Sequence, residues 1–241
     1  MSINYTHHEN IHSIDGASKC FDHLFSTKLP ESIIDVGCGA GFWLAAARSR
    51  GVKKILGIDG ILVENPEVPK ELIKQVELSS EQSWEIHEKY EIAICLEVAE
   101  HLSKDTGSNL IRKLSNIADT IIFSAAIPDQ PGQHHVNCQW PLYWQNEFNK
   151  NGFYCDDSVR WEIWDHADIE VWYRQNIFIA RKDSKRAGHE ARILSVIHPD
   201  ILRFTTVNTC IEQSKRGEVG IGNSLHILRN TLIEKFKKFS S

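Results

Sequence analysis

Residues Asp35-Val36-Gly37-Cys38-Gly39-Ala40-Gly41 follow directly on the apolar pair Ile33-Ile34, and a helix-forming stretch over 43–50 comes next. A β-branched run, a glycine-rich turn and a helix make the opening of a nucleotide-binding α/β unit. Glycine lets the backbone turn sharply and admits a ligand where a Cβ would clash. The dinucleotide fingerprint G-x-G-x-x-G fails here because Phe42 stands at its third glycine, so a pyrophosphate ligand is not indicated. A second apolar run, Ile55-Leu56-Gly57-Ile58, ends in Asp59-Gly60, one loop, one helix and one strand beyond Asp35. A carboxylate at that place accepts hydrogen bonds from both hydroxyls of a ribose. No arginine sits beside it to hold a 2′-phosphate, which argues against NADP. The plainer use of Asp59 is to open the turn before Gly60.

Two histidines could carry protons. His101 follows the fourth expected strand, where it is either a general base or a structural anchor at a helix start. His135 lies on the loop after the fifth, at the carboxyl end of the sheet, where ligands of open α/β folds bind. An imidazole with a pKa of about 6.5 can take the proton of an acceptor near neutrality; otherwise the ring orders its loop. His134, His135 and Cys138 also invite a metal, but their spacing matches no standard zinc site and no acidic ligand pair accompanies them, so no metal is expected. Trp140, Trp144, Trp161, Trp164 and Trp172 crowd one segment with Tyr143, Tyr154 and Tyr173. Most are expected to be core and lid packing, with Trp140 or Tyr143 facing a substrate. Arg174 is expected to pair with an acid internally.

The acidic-x-G-x-G-x-G loop resembles motif I of class I S-adenosylmethionine (SAM)-dependent methyltransferases, whose ligand carries no pyrophosphate. The resemblance implies a SAM contact for Asp35, Gly37, Cys38, Gly39 and Gly41, and a ribose contact for Asp59 with Gly60. Glu77 and Leu78 match the positions that meet the adenine amino group and pack on its ring, although Glu in place of the commoner Asp alters the reach. The stretch from Tyr90 to Leu102 resembles the "FDLV-x-x-EV-x-EHL" pattern of many small-molecule methyltransferases, in which the chain passes under the methionine part of SAM, and this implicates Leu96 and Glu97. The N/D-P-P-Y/F signature of enzymes acting on planar amino groups of DNA bases or glutamine is missing. The segments Ser124-Ala125-Ala126-Ile127-Pro128, His135-Val136-Asn137-Cys138-Gln139-Trp140-Pro141 and Trp172-Tyr173-Arg174-Gln175-Asn176 are similar to a bacterial group with the pattern "SAAIPGQ…GHVNEQWPSYW…WYRQN". Departures are Asp129 for Gly, Cys138 for Glu, Leu142 for Ser, and fewer glycines before His135, which stiffens that loop. The resemblance implies SAM as cofactor and methyl transfer to a hydroxyl or amine of a small molecule, a sugar or glycan precursor. An intermediate of natural-product synthesis is the alternative acceptor, and a non-catalytic SAM-binding module the alternative class.

These residues must be positioned by an alternation of strands and helices. Strands are expected near 32–36, 53–58, 73–78, 91–96, 119–125, 153–160 and 171–180, with helices over 16–27, 43–50 and 140–151. The rhythm implies βαβ units, hence an α/β fold with a mostly parallel sheet covered on both faces. The class I resemblance implies seven strands with the last antiparallel, in a Rossmann-like three-layer arrangement. Three parts are expected: an N-terminal helical extension over 1–30, the SAM-dependent methyltransferase domain over 31–181, and a C-terminal helical extension over 182–241. In the last, Leu225, Leu228, Leu232, Phe236 and Phe239 form one apolar stripe, expected to pack on the domain or on a second copy in a homodimer.

Composition bounds the partners. A formal net charge of −5, a pI near 6.2 and no long basic run exclude nucleic acid as the expected partner. Nothing approaches a bilayer span, and the first residues lack the basic start and apolar core of a signal peptide. Six scattered cysteines without a C-x-x-C fit reduced thiols in a cytoplasmic protein.

Overall fold

The computed structural model describes residues 13–79, 86–203 and, beyond these, 213, 214, 216, 218, 220–222, 225, 226 and 228–230. The chain forms two compact units, Met1–His198 and Pro199–Ser241. The sequence places a boundary at 182; the units divide after His198.

The first unit is built on seven strands: β1 (Ser32–Val36), β2 (Lys54–Asp59), β3 (Ile73–Gln75), β4 (Tyr90–Leu96), β5 (Ala118–Ser124), β6 (Phe153–Asp156) and β7 (Phe178–Lys182). Their order across the sheet is β3-β2-β1-β4-β5-β7-β6. β1 to β5 run parallel, while β7 lies antiparallel between β5 and β6, pairing Phe123 with Phe178 and Tyr154 with Arg181. This is the seven-stranded class I methyltransferase sheet with its antiparallel last strand.

Central strands buried on both faces need apolar runs rather than alternation, and the period of two then assigns each side chain to a face. Ile34, Ala93, Cys95, Ile121 and Phe123 point to one core. It is completed by α3 (Lys104–Ile117) with Leu110, Ile111 and Leu114, and by α4 (Pro141–Lys150) with Trp144 and Phe148. Ile33, Ile92, Ile94 and Ile122 point to the other, covered by α1 (Ile14–Leu24) and α2 (Phe42–Ser49) through Phe21, Leu44 and Ala46. Caps fix the helix starts: Ser13 Oγ accepts from the Gly16 amide, Ser103 Oγ from that of Thr106, and Pro141 opens α4, where its missing N–H costs nothing. α1 is thus part of the core rather than an appendage, with Cys20 and Phe21 fully buried.

Four expectations are corrected. The segment over 171–180 is not one strand: α6 (Val171–Asn176) precedes β7. Its aromatic residues read as strand, yet Tyr173 is held in a helical turn by packing edge-on against Trp43, whose Nε1 donates to the Tyr173 hydroxyl at 3.2 Å. The sixth strand stops at Asp156, whose carboxylate accepts from the Ser158 amide and turns the chain into α5 (Ser158–Glu162). The third stops at Gln75, so Glu77 and Leu78 lie beyond its end. Residues 187–198, within the helical extension expected over 182–241, run without regular structure up to His198.

In the second unit, helical residues include 201–203. Leu225 and Leu228 are exposed, while Leu232, Phe236 and Phe239 of the expected stripe lie outside the described residues. Cys20, Cys38, Cys95, Cys138 and Cys155 are free thiols; Cys210 lies outside the described residues. Among the described residues, no helix is long and apolar enough to cross a membrane.

Candidate cofactor and acceptor site

β1 pairs with both β2 and β4, so the direction in which the chain winds reverses there. In open α/β sheets the crevice beyond the carboxyl ends of such strands is where ligands bind. Every loop bearing a candidate residue leaves this edge.

The loop after β1 is folded by its glycines. Gly37, Gly39 and Gly41 have φ of 82°, 51° and 84°, left-handed backbone that glycine adopts without strain. The Gly37 amide donates to Ile58 O at 2.7 Å, closing the loop over β2. Space is also decisive at Gly37, where a Cβ would lie 2.3 Å from Val98 Cγ2, because the loops after β1 and β4 touch. Gly37→Val is therefore expected to cost about 1–3 kcal/mol through overpacking and a disfavoured φ. Urea unfolding reads this directly, and an unchanged midpoint would mean that the two loops separate freely. Gly57, which sequence reasoning passed over, does the same work from below: a Cβ there would meet Cys38 Sγ at 2.7 Å.

Asp59, at the end of β2, joins two loops. Its Oδ2 accepts from the Gly39 amide and its Oδ1 from that of Ile61, each at 2.8 Å. Gly60 O accepts from Gln75 Nε2 at 3.1 Å. Asp35 is buried beneath the same loop, and burial, then the Asp59 charge, push its carboxyl up to about 8. Burial likewise raises the Cys38 thiol and keeps it uncharged. Glu77 accepts from Ser79 Oγ at 2.5 Å, and Leu78 packs at the margin of the first core.

Beyond β4, Leu96 is buried in the second core and Glu97 adopts a φ of 55°, a strained value for a non-glycine residue. Gln130 Nε2 donates to Glu97 Oε2 at 2.7 Å, Asn176 Nδ2 to Glu97 Oε1 at 3.1 Å, and Asn176 Nδ2 also to Gln130 Oε1 at 2.9 Å. Sequence reasoning missed both amides, which reach Glu97 from α6 and the loop after β5. One turn on, Glu100 is fully buried beside Glu97. Burial and the neighbouring carboxylate raise Glu100 well above the ordinary range, so the two acids cannot both be charged.

Glu100 and His101 lie on the 3-10 turn Ala99–His101. The loop carrying His135 is tied to that turn, because the amides of Val136 and Asn137 both donate to Glu100 O, at 2.9 and 3.0 Å. The rings of His101 and His135 consequently meet edge to face, with centroids 5.0 Å apart. His135 Nδ1 bonds Gln130 O at 3.0 Å, and since a carbonyl only accepts, Nδ1 carries the proton. Burial lowers the pKa of both histidines, that of His101 to about 4, and each positive charge would oppose the other. Both rings are neutral at pH 7. The signal for Glu100 was present in sequence as Glu97-x-x-Glu100-His101, which brings acids and an imidazole to one turn.

Trp140 caps the start of α4, its carbonyl accepting from the Tyr143 amide at 2.8 Å. Tyr143 is half-buried, stacked edge-on against Trp144, with Lys104 Nζ 5.5 Å from its ring centre. Arg174 donates to the carbonyls of Ile169 and Trp164.

A family model described as "Methyltransferase domain" matches residues 10–164, most of the first unit. The chain belongs to that family. No curated protein matches the sequence. Solved structures share the methyltransferase's fold. The methyltransferase domain of bacterial CtHen1-C is 15% identical over 71% of this chain and 100% of its own, with a TM-score of 0.52. DesVI of Streptomyces venezuelae is 8% identical over 70% and 92%, with a TM-score of 0.51. The magnesium protoporphyrin IX methyltransferase of Synechocystis PCC 6803, crystallised with bound SAH, is 18% identical over 70% and 82%, with a TM-score of 0.50.

Proposed function

We propose that this methyltransferase carries the methyl group of SAM to a hydroxyl or amine of a small molecule, of which a sugar or glycan precursor is the class implied by the sequence resemblance. The observation that carries the reading is the convergence, on one edge of the sheet, of a glycine loop braced by Asp59 with a neutral pair of histidines. The loop residues Asp35, Gly37, Cys38, Gly39 and Gly41 enclose the SAM amino-acid portion. Asp59 and Gly60 take the ribose, Glu77 and Leu78 the adenine, and Leu96 and Glu97 line the floor under the sulfonium. Trp140 and Tyr143 flank the acceptor.

In the transfer, a lone pair of the acceptor forms a bond to the methyl carbon while the carbon–sulfur bond breaks. The bonding pair stays on sulfur, which becomes the neutral thioether of SAH. The acceptor's proton passes to Nε2 of His135, whose Nδ1–H is already committed to Gln130 O. Holding nucleophile, carbon and sulfur in line supplies much of the acceleration. Calorimetric titration is expected to show one SAM or SAH per chain. Asp59→Ala is expected to weaken binding by about 1–3 kcal/mol through lost charge-assisted bonds to the ribose. Binding of NAD with no binding of SAM or SAH would overturn the reading.

A further inference from the structure

Glu100, His101 and His135 are grouped more tightly than a proton relay requires. One ligand atom from each lies within 4.8 Å of the other two. Ligand atoms bound about 2.1 Å from one ion stand roughly 3 to 4.2 Å apart, so small side-chain rotations bring this trio around a common point. Glu100 is wholly buried, its carboxyl beside that of Glu97 and reached by the backbone of Glu100 itself and of Ala126. Among the described residues no lysine or arginine forms an ion pair with it. The amides that could serve it, on Gln130 and Asn176, are engaged by Glu97 instead. A carboxyl in that position takes a negative charge only with a cation beside it. The imidazoles are set for the same task. His135 directs Nδ1–H to a backbone carbonyl, the outer contact that orients metal-binding histidines, and leaves Nε2 as the donor atom. The backbone of Gln133 and His134 holds the ring of His101 in the same manner.

We propose that Glu100, His101 and His135 bind one first-row divalent cation, whose remaining positions take two neighbouring oxygens of the acceptor, as in a vicinal diol. Two imidazoles and one carboxylate suit Mn, Fe, Co or Zn better than the all-oxygen shells of Mg and Ca. Three protein ligands leave open positions for a chelating substrate. The proposal rests on methyl transfer for the acceptor's chemistry, but the cation site itself stands on these three residues. With the cation bound, one acceptor O–H is polarised and its proton is released to water. The oxygen then forms its bond to the methyl carbon as the carbon–sulfur bond breaks, and His135 serves as ligand instead of proton acceptor.

Chelator-treated full-length protein titrated with Co2+ is expected to bind one ion and develop visible ligand-field absorption, while Mn2+ and Zn2+ compete. Glu100→Gln and His135→Ala are each expected to weaken Co2+ binding by at least about 100-fold. SAM affinity, measured in parallel, is expected to persist in His135→Ala, which decides the matter should Glu100→Gln not fold. Wild-type protein that binds SAM but no Co2+ overturns the cation site and leaves the methyl-transfer reading intact. Co2+ binding indifferent to His135→Ala also overturns it, since the ion then lies elsewhere. Co2+ binding without SAM binding sinks the proposed reaction and spares the site.

Discussion

His135→Ala is expected to slow methyl transfer by about 10²- to 10⁴-fold at pH 7, the usual contribution of a positioned proton acceptor, with SAM affinity nearly unchanged. The ring stands on the loop after β5, while the glycine loop and Asp59 stand after β1 and β2, so removing it leaves the cofactor contacts intact. The pH dependence follows from the direction of the shift. Burial lowers the His135 pKa below its ordinary 6.5, and the working form is the neutral one. The rate is therefore flat through neutrality and falls only as pH drops below about 6.5 into the lowered range. Stability declines in the same window. The folded His101 titrates at about 4 and the unfolded one near 6.5, so between those values the unfolded chain binds the extra proton, and folding weakens as pH falls from 6.5 to 4. Thermal melts at each pH separate that loss from the kinetic one. Added imidazole that restores the rate of His135→Ala marks a proton acceptor, and loss of bound Co2+ in the same variant marks a ligand. Full activity of His135→Ala at pH 7 would remove the residue from both roles.

The parts of this molecule that sequence disclosed are those governed by local rules. Three of the parallel strands, β1, β4 and β5, were readable because Ile33-Ile34, Ile92-Ala93-Ile94-Cys95 and Ile121-Ile122-Phe123 are apolar runs of the kind a strand buried on both faces needs. The loop over 35–41 was readable because three left-handed positions demand glycine. α6 was not, because Val171-Trp172-Tyr173 favours a strand locally, while Trp43 and Glu97, far off in sequence, hold it as a helix. The site divides along the same line. The acids and histidines could be named from their order relative to the strands. The Gln130–Asn176–Glu97 network could not, since its members are 33, 46 and 79 residues apart and none lies in a repeating pattern. The closeness of His101 to His135 arises from two backbone amides on Glu100 O, and backbone contacts of that kind leave no mark on residue type.

The same reasoning predicts the fate of two shortened chains, and the difference between them is expected to be all or none. Lys182-Asp183-Ser184-Lys185-Arg186 reads as a polar linker, yet residues 190–198 beyond it seal the first unit. Gln145 is buried on α4, donating to Ala191 O at 2.9 Å and accepting from the Ile193 amide at 2.9 Å. Glu190 accepts from Asn149 Nδ2 at 2.7 Å and from the Cys155 amide at 3.1 Å. Arg160, fully buried on α5, donates to Leu194 O, and Gln175 on α6 donates to Val196 O and accepts from the His198 amide. A chain ending at Lys182 strips partners from all of these groups at once. Each buried polar group so orphaned costs about 1–3 kcal/mol, and the guanidinium of Arg160 more. Together they match the roughly 5–15 kcal/mol that holds a domain folded. That chain is expected to show no cooperative melting transition and no SAM binding. A chain ending at His198 keeps every one of these bonds and is expected to fold and to bind SAM. Circular dichroism melts of the two proteins decide the point, and a cooperative transition for the chain ending at Lys182 would show that residues 187–198 only cover the surface they touch.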